Sequence, residues 1–491
     1  MRSGPRERIA TGTACLLGLA LLLPFETPLF PLGPLVVTST EFLLYLSLLG
    51  WAVSTAASAI TSGWSLTGHA RAALAGVARD PIARAVALWL AVTALSAATA
   101  PSHRTAAIKF ALRTTTGVLL YFAARDLIRP SSFRRRELVV VLLGGAVLSA
   151  SLTFLESARP DWTSWWHLFR PQEFSGIGFT RASGTFAFPN IAAMYWEASL
   201  PLTLVVLAVG SGVLRSTPRR WMPLGAGVLL SVILLHGILA TASRAALGEA
   251  ALSACALLVL GRSAGGSRRD VRLLACAILV VEIVLIVATL VRGGPDFPLA
   301  QRLGWHPSAP ADVLSGEDSS TAARERGQVV ALAGDQREPP ALPSRPQLWA
   351  AALRLWRQHP LLGVGPDNFR HRYPEVIAAT GGAHFDDERI HANNFYLETV
   401  ADLGLAGVLV LALLAHGLWR AARTTLARGT GPLELGVVVA IGTFFVHGCV
   451  DYFFEFTPTF GLWWLLLALV GPSDQPTDAA QVGPSRTTAE G

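Results

Sequence analysis

The feature that most constrains the fold is a series of apolar segments, each close to the roughly 20 residues that a helix needs to cross the hydrocarbon core of a bilayer. About twelve such segments lie near residues 10–32, 35–55, 83–100, 107–124, 137–155, 189–209, 222–241, 244–261, 272–292, 394–418, 433–451 and 457–471. Only 15% of the 491 residues are charged, and 52% are hydrophobic. Because a soluble domain carries about 25% charged residues, the sequence predicts an all-α polytopic membrane protein with about 12 transmembrane helices.

The loops between these segments predict the orientation. Arginines are concentrated after the even-numbered segments, as with Arg134, Arg135 and Arg136 after the fourth. Cytoplasmic loops are enriched in Lys and Arg, so we expect these loops and both termini in the cytoplasm. Residues 1–292 then form a membrane domain of nine helices with an external loop at about 156–188. Residues 394–471 form helices 10–12.

A second external loop, 293–393, precedes the last three helices. Residues 307–343 are rich in Ala, Ser, Gly, Pro and charged side chains and are predicted to be mobile. Order is expected to return at Ser344, where Trp349, Leu353 and Trp356 recur at helical spacing. We expect an amphipathic helix over 344–358, lying on the outer membrane surface. Residues 472–491 are predicted to be a disordered cytoplasmic tail.

Composition and motifs argue against several other classes of protein. The arginines of the cytoplasmic loops explain the net charge of +7. The sequence has no basic stripe interleaved with aromatic residues, the pattern typical of nucleic-acid binding. Neither a Walker-type phosphate loop nor a dinucleotide fingerprint occurs in a credible context, and we expect no cofactor. Histidines of the second external loop match no zinc pattern, so no metal is expected, although a loosely bound divalent cation at Asp386, Asp387 and Glu388 stays open.

Three arginines lie beside spans on the face where arginine is otherwise scarce. Arg244 stands between two spans, Arg181 lies at the entrance of the sixth span, and Arg345 begins the amphipathic helix. A guanidinium at membrane depth costs about 2.5–3.5 kcal/mol on insertion scales, which favours a function such as clamping a phosphate. The alternative is an arginine that extends to the headgroups.

A histidine and two carboxylates recur where the second external loop enters the tenth span. His391 and Glu398 are seven residues apart, and Asp402 follows four residues later, which places them on roughly one helix face. Carboxylates at that depth normally face a cavity or a cation, and a histidine is a suitable base near neutral pH. The alternatives are polar contacts between helices for the carboxylates and a solvated loop position for the histidine.

At these residues the chain resembles the O-antigen ligase and polymerase superfamily of bacterial envelope glycosyltransferases. The resemblance is carried by Pro360-Leu361-Leu362-Gly363-Val364-Gly365-Pro366-Asp367-Asn368-Phe369, by Asn393-Asn394-x-Tyr396-Leu397-Glu398 and by Asp402-Leu403-Gly404-x-x-Gly407. It extends to Arg181 through Asn190, to Ser243-Arg244 and to His447…Asp451-Tyr452. Each motif alone is weak, but their order is fairly specific.

The resemblance implies a GT-C-like, metal-independent, inverting transferase of the bacterial inner membrane. Its donor would be a glycan on undecaprenyl diphosphate, and its acceptor a hydroxyl of a glycan or lipid on the periplasmic face. Arg244 and Arg345, with Arg181 third, would neutralise the diphosphate leaving group. A histidine would orient or deprotonate the acceptor hydroxyl. Asn394, Glu398 and Asp367 would support the site.

One departure from the family pattern concerns the histidine. The family commonly has a histidine at the position that Asn393 occupies here, and His391 lies two residues earlier. If the helix already runs through 391, this shift turns the side chain by about 200°. If the helix begins at Asn393 or Asn394, His391 lies in the approach loop and can still reach the site. His391 and Asn393 are therefore both candidate catalytic residues.

Three functions follow as alternatives. The first is the transferase, either a ligase or a polymerase, which use the same donor and differ in acceptor. The second is a multi-span transporter, which would favour broken helices paired across two repeated halves, and no such pairing is found. The third is a non-catalytic homologue that acts with other envelope-assembly proteins.

Overall fold

The computed structural model describes residues 5–470, with gaps at 33–34, 62–65, 129–131, 160–161, 171–173, 177–178, 214–220, 264–267, 294–342, 379–389 and 428–430. Within these residues a helix occurs in each of the twelve predicted segments. Seven helices of the described part are long and apolar enough to cross a membrane. The protein is therefore a helical, polytopic membrane protein, and the number of twelve crossings stays a prediction.

The helices are α1 (Pro5–Leu22), α2 (Ser39–Thr61), α3 (Leu66–Arg79), α4 (Pro81–Thr99), α5 (Arg104–Ile128), α6 (Ser132–Ala158), α7 (Thr163–Trp166), α8 (Pro189–Ser199), α9 (Leu204–Val213), α10 (Met222–Ala240), α11 (Arg244–Leu260), α12 (Arg268–Gly293), α13 (Arg345–Gln358), α14 (Phe369–Ala378), α15 (Phe395–Ala427), α16 (Pro432–His447) and α17 (Thr457–Leu469). A 3-10 turn, Leu200–Thr203, joins α8 to α9 within one span. The long apolar helix α15 packs along α4, and α16 packs against α8 and α11.

Two small antiparallel hairpins interrupt the helical pattern. The strands are β1 (Pro28–Leu32), β2 (Leu35–Thr38), β3 (Phe174–Gly176) and β4 (Phe179–Arg181). The first hairpin takes up part of the predicted first span, which ends at Leu22 rather than near residue 32. Pro24 and Pro28 explain the early end, because proline removes a helix hydrogen-bond donor and clashes with the preceding turn.

The helix α13 lies where helical spacing predicts one, but a different face of it is buried. Leu348, Ala352 and Leu355 are buried against α14 and the start of α15, whereas Leu353 is 38% exposed. The small and branched side chains of this face allow close packing against these neighbouring helices. The predicted placement on the membrane surface is not tested, and the predicted mobile patch and the C-terminal tail from 472 lie outside the described residues, apart from Pro343.

The most unusual backbone in the described bundle is a kink within α15. Gly404 has φ 60° and ψ −157°, which divides the helix into two parts. The loop after α13 fills the kink, because Leu405 and Ala406 donate their N–H groups to the carbonyls of Pro360 and Leu361 at 2.9 and 3.1 Å. A Cβ on Gly404 would lie 2.5 Å from the carbonyl carbon of Leu361. Only glycine satisfies both the dihedral angles and this close approach.

The same loop hydrogen-bonds to the other side of the kink. Val364 and Gly365 donate to the carbonyls of Ala401 and Asp402 at 2.9 and 3.1 Å. From α4, the hydroxyl of Ser96 lies 2.7 Å from the Leu362 carbonyl oxygen and 2.9 Å from that of Asp402. The opened turn of α15 is thus paired on both sides, as buried backbone groups require.

We predict that Gly404→Ala lowers the free energy of unfolding by at least about 1–3 kcal/mol, the cost of holding a residue in a sparsely populated backbone region. Thermal unfolding of the purified protein in detergent measures it. Gly442→Ala in α16 is the matched control, because a Cβ there meets nothing within 4 Å. An equal effect of both substitutions would contradict the proposed constraint.

Candidate functional site

The site is built on the kink of α15 through the carboxylate of Asp402. Its Oδ2 accepts the N–H of Asp367 at 2.7 Å, and its Oδ1 accepts the N–H of Phe369 at 2.8 Å. Asp402 is 4% exposed, so these two donors satisfy a carboxylate that water barely reaches. Its backbone and side chain together fix the loop 360–369 on α15.

The start of α15 decides where His391 lies. Asn394 caps the helix, since its Oδ1 accepts the N–H of Leu397 at 2.9 Å, and its Nδ2 donates to the Cys449 carbonyl at 2.8 Å. The helix begins at Phe395, so His391 lies in the approach loop. Of the two registers considered from the sequence, the structure has the one in which His391 can reach the site.

His391 is buried between two carboxylates. Its Nδ1 pairs with Glu398, one helical turn below, and the second oxygen of Glu398 accepts the N–H of Ala392 at 2.8 Å. Its Nε2 lies 2.8 Å from Oε2 of Glu455, a charge contact rather than an aligned hydrogen bond. The ring stacks on Tyr452 with centroids 4.6 Å apart. These contacts hold the imidazole in one orientation.

Two arginines hold Glu455 and its segment in place. Arg370 pairs with Asp367, and its Nη1 lies 3.4 Å from Oε1 of Glu455. Arg113 on α5 donates to the backbone carbonyl of Glu455 at 2.9 Å. The Glu455 side chain is 24% exposed, which makes it the most accessible carboxylate of the group Asp367, Glu398, Asp402 and Glu455.

Aromatic packing places the segment that carries Tyr452 and Glu455. Phe453 stacks on Phe395 at 4.9 Å, and Phe454 meets Trp463 at 6.1 Å. Aromatic pairs of this kind add about 0.5–1.5 kcal/mol beyond burial. The start of α15 and the entrance of α17 are thereby held together beneath the site.

The charges of the site shift its pKa values in opposite directions. Burial alone would lower the pKa of His391, but the negative charges of Glu398 and Glu455 and the hydrogen bond to Glu398 raise it well above its usual range. Burial raises the pKa of Asp367 despite Arg370. Burial would raise the pKa of Glu455, but His391, Arg370 and Arg113 together lower it below its usual value. These shifts favour the protonated, imidazolium form of His391 beside its carboxylate partners.

Arg181 lies at the edge of this arrangement. It donates to the Thr241 carbonyl at 2.7 Å and to Oδ1 of Asn190 at 2.6 Å. Asn190 in turn donates to Oδ2 of Asp451 at 3.4 Å, the neighbour of Tyr452. These polar contacts connect Arg181 to the residue that stacks on His391.

The segment that leads to Asn190 is held by a buried ion pair. Arg170 contacts Oε1 of Glu156 at 2.5 Å and the hydroxyl of Ser183 at 2.8 Å. The second oxygen of Glu156 accepts the N–H groups of Ser183 and Gly184 at 3.2 and 2.8 Å. This pair positions the backbone just after Arg181.

The other two predicted arginines lie on the surface. Arg244 is exposed in the first turn of α11, after Ser243, whose hydroxyl accepts the N–H of Ala246 at 3.4 Å. It stands three residues from Thr241, the contact of Arg181. Arg345 is exposed at the start of α13, and no described contact joins it to His391.

Asn393 and Asp367 differ in their surroundings. Both have positive φ, 47° and 63°, a conformation that Asn and Asp tolerate better than most residues. Asp367 is buried and paired with Arg370, whereas Asn393 is half-buried and makes no hydrogen bond through its side chain in the described part of the chain.

The sequence reasoning missed Glu455, Arg370 and Arg113. Glu455 had a usable signal, since it is a single carboxylate within Tyr452-Phe453-Phe454-Glu455-Phe456 at the entrance of the last span, and such residues are functional candidates. Arg370 and Arg113 meet Glu455 across 85 and 342 residues of chain. Nothing in their local sequence indicates that partner.

Comparison with known proteins bears on this site directly. Residues 229–412 match the family model described as O-antigen ligase. The matched segment contains Arg244, Arg345, His391, Glu398 and the kink at Gly404. No curated protein matches the chain.

The raised pKa of His391 predicts how stability depends on pH. A histidine whose pKa is higher in the folded than in the unfolded protein stabilises the folded state. This contribution is complete below the pKa in the unfolded protein, about 6.5, and is lost as the pH rises through the pKa in the folded protein. We therefore predict that the gap in melting temperature between wild type and His391→Gln is largest at mildly acidic pH and shrinks above the usual histidine range. A gap that grows with pH would contradict the ion-paired imidazolium, and His416→Gln is the control.

Proposed function

Because the chain belongs to the O-antigen ligase and polymerase family, we propose that it is a membrane glycosyltransferase that assembles bacterial surface polysaccharide. It moves a glycan from undecaprenyl diphosphate to an acceptor hydroxyl on the periplasmic face of the inner membrane. Both termini lie in the cytoplasm in this proposal. The observation that carries it is His391, ion-paired to Glu398 and Glu455, at the end of an apolar bundle.

The acceptor hydroxyl is proposed to meet Glu455 and His391. Glu455 is the accessible member of the pair, and its carboxylate lies beside Nε2 of His391. When the acceptor displaces the Glu455 contact, His391 loses one of the two carboxylates that raise its pKa. The imidazole then becomes a better base and takes the hydroxyl proton as the oxygen attacks the anomeric carbon.

The donor diphosphate is proposed to lie against arginines. Breaking the glycosidic bond leaves charge on the diphosphate, and guanidinium groups bind phosphate oxygens in a bidentate manner. Arg244 is exposed three residues after Thr241, the contact of Arg181, and these two arginines are proposed to bind one anion together. Arg345 is proposed to reach the diphosphate from α13. The reacting atoms then need no metal, and an in-line attack inverts the anomeric centre.

Ligase and polymerase remain separate versions of this proposal. Both take the same donor, and they differ in whether the acceptor hydroxyl belongs to a lipid-linked core or to another glycan chain. The GT-C-like architecture and contacts with other envelope-assembly proteins belong to the same proposal. The experiment below separates the two versions by the product that accumulates.

We predict that His391→Ala and Arg244→Ala each reduce surface glycan by about 10²-fold or more, as expected for loss of a catalytic acid-base group or of a charge at the leaving group. The assay is complementation of a strain that lacks its own ligase or polymerase. Accumulation of single repeat units identifies a polymerase. Arg181→Ala and Arg345→Ala are expected to act in the same direction.

Matched controls are Arg354→Ala, an exposed arginine on α13, and His416→Ala in the distal part of α15. Full transfer in the His391, Arg244 and Arg345 variants would contradict the assigned site. Transfer that survives His391→Ala but is lost in Asn393→Ala would move the catalytic role to Asn393.

A second prediction concerns the pH profile of transfer. A general base acts when deprotonated, so the rate rises with pH through the pKa of His391. Because Glu455 raises this pKa, Glu455→Gln is expected to shift the rising limb to lower pH while Glu434→Gln does not. A shift to higher pH would contradict the role of Glu455.

A further inference from the structure

A second group of titratable side chains lies inside the bundle, apart from the proposed reacting atoms. Glu197 on α8, Glu249 on α11 and His447 at the end of α16 converge there. Their exposed fractions are 0%, 6% and 1%. All three helices are packed against each other, so the group joins three separate parts of the chain.

The contacts within this group are short but are not aligned as hydrogen bonds. Nδ1 of His447 lies 2.7 Å from Oε1 of Glu197 and 3.4 Å from Oε1 of Glu249. Within the described residues, both oxygens of Glu197, Oε2 of Glu249 and Nδ1 of His447 have no hydrogen-bond partner. A fully buried carboxylate without a donor is costly. Unsatisfied ligand atoms from three residues that converge on one point are the arrangement expected around a cation.

Charge balance leads to the same conclusion. In the described part of the chain, His447 is the only positively charged group within ion-pair distance of the two carboxylates. A protonated His447 would balance only one of the two buried glutamates, and an unpaired buried charge is expensive. A divalent cation with a neutral imidazole neutralises the charges of Glu197 and Glu249.

The dimensions also fit a metal ion. One ligand atom from each residue lies within 4.8 Å of the others. Ligand atoms of a tetrahedral site with bonds of about 2.1 Å lie about 3.4 Å apart, so side-chain shifts on the order of 1 Å close the site. Imidazole nitrogen and carboxylate oxygen are both common ligands of zinc and of neighbouring divalent metals.

The other nitrogen of the imidazole lies near a carboxylate, beyond hydrogen-bond distance. Nε2 of His447 faces Oδ2 of Asp451 at 3.9 Å, and Asp451 also accepts the N–H of Tyr452 at 2.8 Å. A metal-bound histidine usually donates its second ring N–H to a carboxylate, and Asp451 is the carboxylate on that side of His447.

We propose that Glu197, Glu249 and His447 bind one divalent transition-metal ion, such as Zn²⁺ or Mn²⁺, that fastens α8, α11 and α16 together. The role is structural, because the ligands lie inside the bundle and the proposed transfer uses other residues. The proposal stands whether or not the transferase function is correct, since its test measures bound metal and stability.

The test uses the full chain purified in detergent with an affinity tag free of histidine. After treatment with a chelator, the protein is incubated with Zn²⁺ or Mn²⁺, desalted and analysed for metal by mass spectrometry. We expect about one ion per chain in wild type and at least a tenfold lower content in Glu197→Gln and Glu249→Gln. Glu282→Gln is the control, because Glu282 is a buried carboxylate of α12, 4% exposed, outside the group.

Wild type alone provides a second measurement if the variants fail to fold. A ligand that binds the folded state raises the melting temperature, so adding Zn²⁺ or Mn²⁺ to the chelated protein should raise it by several degrees. The proposal would be overturned if wild type retained no metal and its melting temperature did not change when metal was added. A proton would then supply the missing positive charge. Equal metal content in wild type and Glu197→Gln would overturn it as well.

Discussion

The carboxylate of Asp402, beside the kink at Gly404, is the interaction on which the site depends. It accepts two backbone N–H groups from the loop 360–369, and the opened helix turn accepts and donates four more hydrogen bonds with the same loop. A kink in an apolar helix exposes polar backbone that lipid cannot satisfy. Here a second segment of chain satisfies it, and that segment delivers Asp367 and Arg370 to the site.

The histidine follows from the same construction. The helix α15 begins with Asn394 as its cap, which leaves His391 just outside the helix and Glu398 one turn inside it. A buried imidazolium between two carboxylates is stable only while both partners stay in place. The site is therefore held by charge pairs whose balance a substrate can change, and this is the basis of the proposed proton transfer.

Much of the helical architecture could be predicted from the sequence, because an apolar segment of about 20 residues has few alternatives to a helix. The spacing of His391 and Glu398 predicted one shared helix face, but His391 lies in the loop before α15, and the path of this loop brings it to Glu398. The sequence predicted the helix α13 but not that Leu348, Ala352 and Leu355 pack against the protein, because tertiary contacts decide this. Glu455, Arg370 and Arg113 come from distant segments, and only tertiary structure brings them together.

The most direct measurement of the central claim is transfer by the purified protein in detergent or nanodiscs, supplied with an undecaprenyl-diphosphate-linked glycan and an acceptor. Released undecaprenyl diphosphate and glycosylated acceptor are quantified together. We predict equal amounts of both products from wild type and a loss of about 10²-fold or more in His391→Gln that is still folded at the assay temperature. Equal transfer by wild type and His391→Gln, or no donor consumption by folded wild type, would contradict it.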